Sequence, residues 1–454
     1  MKRAREITYQ EKHRPQFHFT SWRGWLNDPN GLVYDRGEYH LFYQHNPHGC
    51  TWGDIHWGHA VSQDLVHWQE LPDALHPDDM GLMFSGSALV DWRNSSGLAR
   101  GEGHTLVCFY TAAGEFADPP LPYTQCMAFS HDRGRTWHKY AGNPVLEHVA
   151  GHNRDPKVLW HELLGQWVMV LYLRQAGAEQ HYGLYTSPDL KNWSPLDDVY
   201  LPGNGECPDL FPLSMDGDVK WVFWGADGHY FVGTFDGNAF EPQTPPLQAY
   251  CGGRERGSAY AAQTWSDIPV EDGRRVQMAW LQGDIPGMPF DQQMSFPVEL
   301  TLRATPQGPR LHFTPVQEIE RLYQETQTLT DVALSQEPLQ LPTGGHDLLD
   351  MRADVVVSTA TALEFDLRGV PLVYDARRQE LSCCGKTAPL KTDKLQLRVL
   401  VDRTSIEIFA AGGLVYMPLG VIADEDHRTC YVSARGGKAR GAKIEIARLN
   451  SIWT

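Results

Sequence analysis

Gly24-Trp25-Leu26-Asn27-Asp28-Pro29-Asn30-Gly31 is the stretch from which the fold can be read. Asp-Pro followed by Asn-Gly turns the backbone, because Pro fixes φ and Gly accepts φ > 0. Residues 32–34, a turn at 35–38 and residues 39–43 then read as strand, turn and strand. Asp28 therefore sits just ahead of a hairpin, with Asn27 on one side and aromatic residues close by. One Asp-Pro dipeptide is an ordinary turn former. The information lies in its recurrence.

The pattern returns at Arg154-Asp155-Pro156-Lys157 and at Glu206-Cys207-Pro208-Asp209, each followed by an apolar strand, a turn and a second strand. Two more segments share the hairpin without an acid at its head: Phe84-Ser85-Gly86-Ser87 and Ser258-Ala259-Tyr260-Ala261-Ala262-Gln263. The heads at 28, 85, 155, 206 and 260 are 57, 70, 51 and 54 residues apart. A second ladder runs in step with the first. Ser62-Gln63-Asp64 closed by Trp68 resembles Ser130-His131-Asp132 closed by Trp137 and Ser187-Pro188-Asp189 closed by Trp193, with a weaker echo at Asp236 to Phe240. Short strands repeated at this period are the signature of a β-propeller, and five units predict five blades. The innermost strands of such a ring surround its axis. The heads would then meet at one mouth, bringing Asp28, Asp155 and Glu206 together.

The 454 residues suffice for two or three domains. A net charge of −17 argues against nucleic acid or an anionic membrane as partner. Residues 1–20 are basic but lack the apolar core of a signal peptide, and no run approaches the ~18 to 20 apolar residues of a membrane span. The simplest reading is a cytoplasmic protein, or a secreted one if a leader has been removed. Eight cysteines (50, 108, 126, 207, 251, 383, 384, 430) follow no framework spacing and are expected as reduced thiols. His56 and His59 would point to opposite faces of a strand, so no metal site is expected of them. His45 and His152 are expected as hydrogen-bonding or packing groups.

The expected domains are an N-terminal extension (1–20), a five-bladed propeller (21–314), a helical linker (315–325) with Val316, Ile319, Leu322 and Tyr323 on one face, and a β-sandwich (326–454). The last rests on alternating strands such as residues 362–367, 395–401 and 405–409, which lack the blade period. The fold class is thus all-β.

Three clustered carboxylates suit glycoside hydrolysis, which needs one group to protonate the leaving oxygen and one to attack or to activate water. Glu206, leading an apolar strand, is the expected acid, its pKa raised by burial and neighbouring anions. Asp28, beside the Asn27 amide, is the expected nucleophile. Arg154 is expected to keep Asp155 charged. The plain alternative is a structural trio of turn acids.

The motifs Trp25 to Gly31, Arg154-Asp155-Pro156 and Glu206-Cys207-Pro208 resemble the three signatures of glycoside hydrolase family 32. The resemblance extends through Tyr43-Gln44, Thr51-Trp52-Gly53, Phe84 to Ser87, Tyr260 to Trp265 and Val401 to Phe409. It implies a five-bladed propeller with a C-terminal sandwich, retaining double displacement and no cofactor. It implies Asp28 as nucleophile, Glu206 as acid/base and Asp155 as transition-state stabiliser. Asn27, Gln44, Trp52, Phe84, Ser85 and Arg154 would line the fructosyl subsite, with Trp280 at its wall. Leu26 stands where the family most often has Met, a change of little volume.

The expected activity is exo-release of terminal β-fructofuranosyl units from sucrose and fructo-oligosaccharides of inulin or levan type. Residues 83–88 and 287–294 look closer to levanase and exo-inulinase members than to phosphosucrose hydrolases. Sucrose-6-phosphate hydrolysis, fructosyl transfer on the same site, an arabinan-cleaving propeller and a non-catalytic sugar-binding propeller are the alternatives. The expected partners are small sugars, and homo-oligomerisation is left open.

Overall fold

The computed structural model describes residues 8–101, 103–177, 179–250, 258–424 and 426–453. Five antiparallel sheets follow one another along the chain, each running outward from an innermost strand. Those strands are Gly24–Asp35, Leu82–Asp91, Arg154–His161, Asp209–Met215 and Ala259–Thr264. They pack beside one another around an axis, which makes the five sheets the blades of a propeller. The ring is closed by Phe290–Asp291, which leaves the fifth blade and pairs in parallel with Gly24 and Trp25 of the first.

Blades stack face to face, so their second strands are covered on both sides and need no polar alternation. Glu38–Asn46 and Thr105–Ala113 are buried at every position. The apolar side chains accordingly form separate cores between neighbouring blades. Phe42 and Trp57 of the first meet Met83 and Tyr110 of the second, and Val168 and Tyr182 of the third meet Phe223 and Phe231 of the fourth.

The polar ladder read from the sequence marks the turns between third and fourth strands. The Asp64, Asp132 and Asp189 carboxylates each accept a seryl hydroxyl two residues back, at 3.1, 2.8 and 3.1 Å. They also accept backbone N–H groups from the far side of the turn, as Asp236 does in the fourth blade. An aspartate at this spot replaces the backbone bonds that a wide turn leaves unmade.

After the fifth blade, residues Gln317–Leu322 form a 3-10 helix, and Tyr323–Leu334 opens the second unit. Two six-stranded antiparallel sheets face each other there; Ala362–Leu367 alternates buried with partly buried positions, whereas Ser405–Ala410 is buried throughout.

Residues that precede the propeller bind the two units together. Arg14, Gln16, Phe17, His18, Phe19 and Thr20 are buried. His18 lies between two acids of the sandwich, Nδ1 at 2.9 Å from Asp402 and Nε2 at 2.9 Å from Glu407. Asp402 also accepts the backbone N–H groups of Gln16, Phe17 and His18, and Glu407 accepts that of Phe296 from the fifth blade. No helix among the described residues is long and apolar enough to cross a membrane. Seven of the eight cysteines are unbridged, and Cys251 lies outside the described residues.

Candidate active site

The blade heads do not merely face one mouth; hydrogen bonds join them. Pairing between first and second strands slips beside the head in four blades: between Leu26 and Pro29, between Phe84 and Gly86, at Asp155-Pro156 opposite Leu171, and between Tyr260 and Gln263. A bulge leaves a residue unpaired and re-aims its side chain. Asp155 (φ 64°) and Ala261 (φ 51°), at two of these slips, and Cys207 (φ 49°), just ahead of the fourth blade's innermost strand, adopt the left-handed backbone region, an uncommon one for residues other than Gly, Asn or Asp. The innermost strand has a free edge toward the axis, where prolines such as Pro29 and Pro156 are tolerated. Asp28 and Asp155 therefore lie within strands, not ahead of them.

Asp28 accepts the Ser85 hydroxyl at 2.8 Å on Oδ2 and the Asn27 amide at 3.1 Å on Oδ1. Trp25 Nε1 donates in turn to Asn27 Oδ1 at 2.8 Å, which fixes the amide's orientation. Desolvation raises the Asp28 pKa above the usual carboxylate range, and the Glu206 charge adds to this. The Cys207 thiol lies 3.5 Å from both Asp28 Oδ2 and Asp155 Oδ2, and the Cys207 backbone N–H donates to Asp155 Oδ2 at 3.1 Å.

Arg154 corrects the expectation drawn from its position in the chain. Its guanidinium donates through Nε and Nη2 to Glu206 Oε2, and stands 3.6 Å from its sequence neighbour Asp155. Burial dominates at Asp155 and, with the charges of Glu206 and Asp28, outweighs Arg154. The carboxyl is pushed up to about 7 instead of being held as a permanent anion. The other oxygen of Glu206, Oε1, accepts the Tyr260 hydroxyl at 2.6 Å. Asp28 thus bonds Ser85, Glu206 bonds Tyr260, and Cys207 and Arg154 join the two halves.

Aromatic residues wall the mouth. Trp280 packs edge-on to Trp25 (6.0 Å) and Tyr260 (6.2 Å), and its indole N–H donates to Gln292. At the head of the second blade, Phe84 meets Trp52 at 6.1 Å, and both meet Phe116 at 5.7 Å. Trp52 and Phe116 are both nearly half exposed, at 47% and 45%. Gln44 is buried and donates to the Met83 carbonyl at 2.8 Å, which positions the Phe84-Ser85 segment from behind. Leu26 is fully buried.

Sequence reasoning missed three groups. Tyr260 was placed as a blade head, which was signal enough to give it a partner among the acids. Cys207 is expected only as a reduced thiol, and its one further signal is its position beside Glu206. Phe116 carried no signal, because it follows a second strand instead of heading a first. His56 and His59 do face apart: His59 contacts His40 at 3.0 Å, and His56 meets His76 at 3.1 Å. Two groups, His48/Asp54/His56 and His56/Asp73/His76, bring metal-ligating atoms within 4.8 Å of one another. None of the three mouth acids belongs to either.

A propeller that gathers two aspartates, a glutamate and an arginine between aromatic walls belongs to the carboxylate-dependent glycoside-cleaving enzymes. Residues 18–315 match the glycosyl hydrolases family 32 N-terminal domain and residues 318–448 the family 32 C-terminal domain, and the chain belongs to this family. It is 38% identical to a levanase of Bacillus subtilis, over 98% of this chain and 72% of that protein. The exo-inulinase of Aspergillus awamori superposes with a TM-score of 0.87 at 27% identity, over 98% of this chain and 100% of that one. A β-fructofuranosidase of Schwanniomyces occidentalis, solved with fructosyl-erythritol, gives 0.86 at 26% identity, over 99% and 100%.

Proposed function

We propose that the protein is a retaining, exo-acting β-fructofuranosidase that removes terminal fructosyl units from sucrose and from inulin- or levan-type fructo-oligosaccharides. The observation that carries this is the hydrogen-bonded network that links the blade heads and brings the three carboxylates together. Asp28 attacks C2 of the fructosyl unit as the C2–O bond breaks, and Glu206 gives its proton to the leaving oxygen. Water then bonds to C2 and displaces the Asp28 carboxylate, and its proton returns to Glu206. Two inversions at C2 give net retention. Asp155, backed by the Cys207 N–H, binds ring hydroxyls while positive charge develops on the sugar. Ser85 and Asn27 hold Asp28 in line for attack, and the Trp25, Trp280, Trp52 and Phe84 rings enclose the sugar's apolar faces.

The test is fructose released from sucrose, sucrose 6-phosphate, and β-2,1 and β-2,6 oligosaccharides at matched concentration, with NMR of the anomer first formed. Release from the unphosphorylated sugars with β-fructose formed first is expected. Initial inversion, or a folded Asp28→Ala protein with a normal rate, would sink the mechanism. Preference for the phosphate ester would replace the substrate assignment.

A further inference from the structure

A cavity lies away from the blade heads, where the segment before the propeller meets the sandwich. It holds about 250 Å³, and among the described residues its lining includes Lys12, His13, Arg368, Arg403 and Arg428 with one acid, Asp347. Such a concentration of positive charge does not follow from composition, since the chain carries a net −17.

Arg368 occupies an unusual place. It shares with Gly369 the two-residue tip of the hairpin between Ala362–Leu367 and Val370–Asp375, where both residues have positive φ. Hairpin tips normally project into water, yet Arg368 is only 5% exposed. Its Nε and Nη1 have no hydrogen-bond partner among the described residues. Asp366, the nearest acid along the hairpin, accepts the Gly369 N–H at 2.6 Å, with His427 Nε2 standing 3.4 Å from its other oxygen. Asp347, across the cavity, forms an ion pair with Arg403 at 2.9 Å. Lys12, His13 and Arg428 have interactions of their own, so the argument rests on Arg368. A buried guanidinium with unused donors on a polar cavity is unfavourable unless something fills its coordination. Its planar fork matches a tetrahedral or planar oxyanion.

We propose that this cavity binds a phosphate-type oxyanion, free or as a sugar phosphomonoester, held by Arg368 and covered by the Lys12-His13 segment. The volume accommodates phosphate with room for part of an attached sugar. Occupancy would fasten the segment that leads into the buried His18 junction, so binding and unfolding are linked.

The test is calorimetric titration of the full chain with inorganic phosphate at constant ionic strength, with chloride as control. A second titration uses fructose 6-phosphate in excess free fructose, which occupies the catalytic mouth. One saturable site is expected, absent for chloride and weakened at least about tenfold in Arg368→Met. Equal affinity for both ligands identifies free phosphate as the source, and tighter binding of the ester identifies a sugar phosphate. Arg368→Lys keeps the charge but loses the planar fork, so it should fold normally and weaken binding severalfold; it decides the matter if Arg368→Met fails to fold. Absence of saturable binding, or binding unchanged in the variants, would overturn the site.

Discussion

The hydroxyl of Tyr260 donates to Glu206 Oε1 at 2.6 Å, so the head of the fifth blade completes the coordination of the acid that heads the fourth. Arg154 from the third blade holds the other oxygen. Glu206 is therefore fixed at both ends before any sugar arrives. Tyr260→Phe should leave the fold intact and reduce kcat by about 10- to 100-fold, the worth of a hydrogen bond to the carboxylate that Glu206 becomes as it gives up its proton. KM should move much less, because the lost contact orients the proton donor. Steady-state kinetics on sucrose will show the split.

Cys207 serves the site as a donor. Its thiol reaches both aspartates, and burial holds it protonated well above the ordinary thiol range. Cys207→Ser keeps a donor of similar size and should stay within a few fold of wild type. Cys207→Ala should lose roughly tenfold in kcat/KM. Equal rates in the two variants would reduce the thiol to a packing group.

Asp155 is stabilised in its protonated form by burial beside two acids. Its native pKa of about 7 exceeds the unfolded value, so the folded state binds the extra proton between the two. Stability therefore falls as pH rises from the ordinary carboxylate range to about 7, and is flat beyond. Asp155→Asn should be more stable than wild type by about 1–2 kcal/mol at pH 8, with the difference shrinking toward acid pH. Urea unfolding at several pH values measures it, and turnover should be lost throughout.

His18 works in the opposite sense and a higher window. Despite complete burial, which opposes its charge, hydrogen bonds to Asp402 and Glu407 push it up to about 9. A raised histidine contributes stability fully present below its unfolded value near 6.5 and lost as pH climbs through about 9. The contribution is roughly 3 kcal/mol. His18→Gln should be less stable than wild type at pH 6 and approach it at pH 10. A constant difference across that range would show that the ring only fills space.

What the sequence determined by itself was everything periodic. Turn chemistry is local: Asp-Pro and Asn-Gly bend the chain wherever they occur, and a Ser-x-Asp turn closes a hairpin without reference to distant residues. Five repetitions therefore announced five blades, and alternation at residues 362–367 announced a sheet with one open face. The heads at 28, 85, 155, 206 and 260 were legible as equivalent positions for the same reason. Tertiary structure alone decided which partner each head takes. Ring closure and the bulges set side-chain direction, so Arg154 turns from adjacent Asp155 to Glu206, 52 residues away. His18 finds Asp402 across 384 residues, and Arg368 is buried at a hairpin tip only because another part of the chain covers it. Such pairings depend on where low-dielectric space forms, and that is a property of the packed chain.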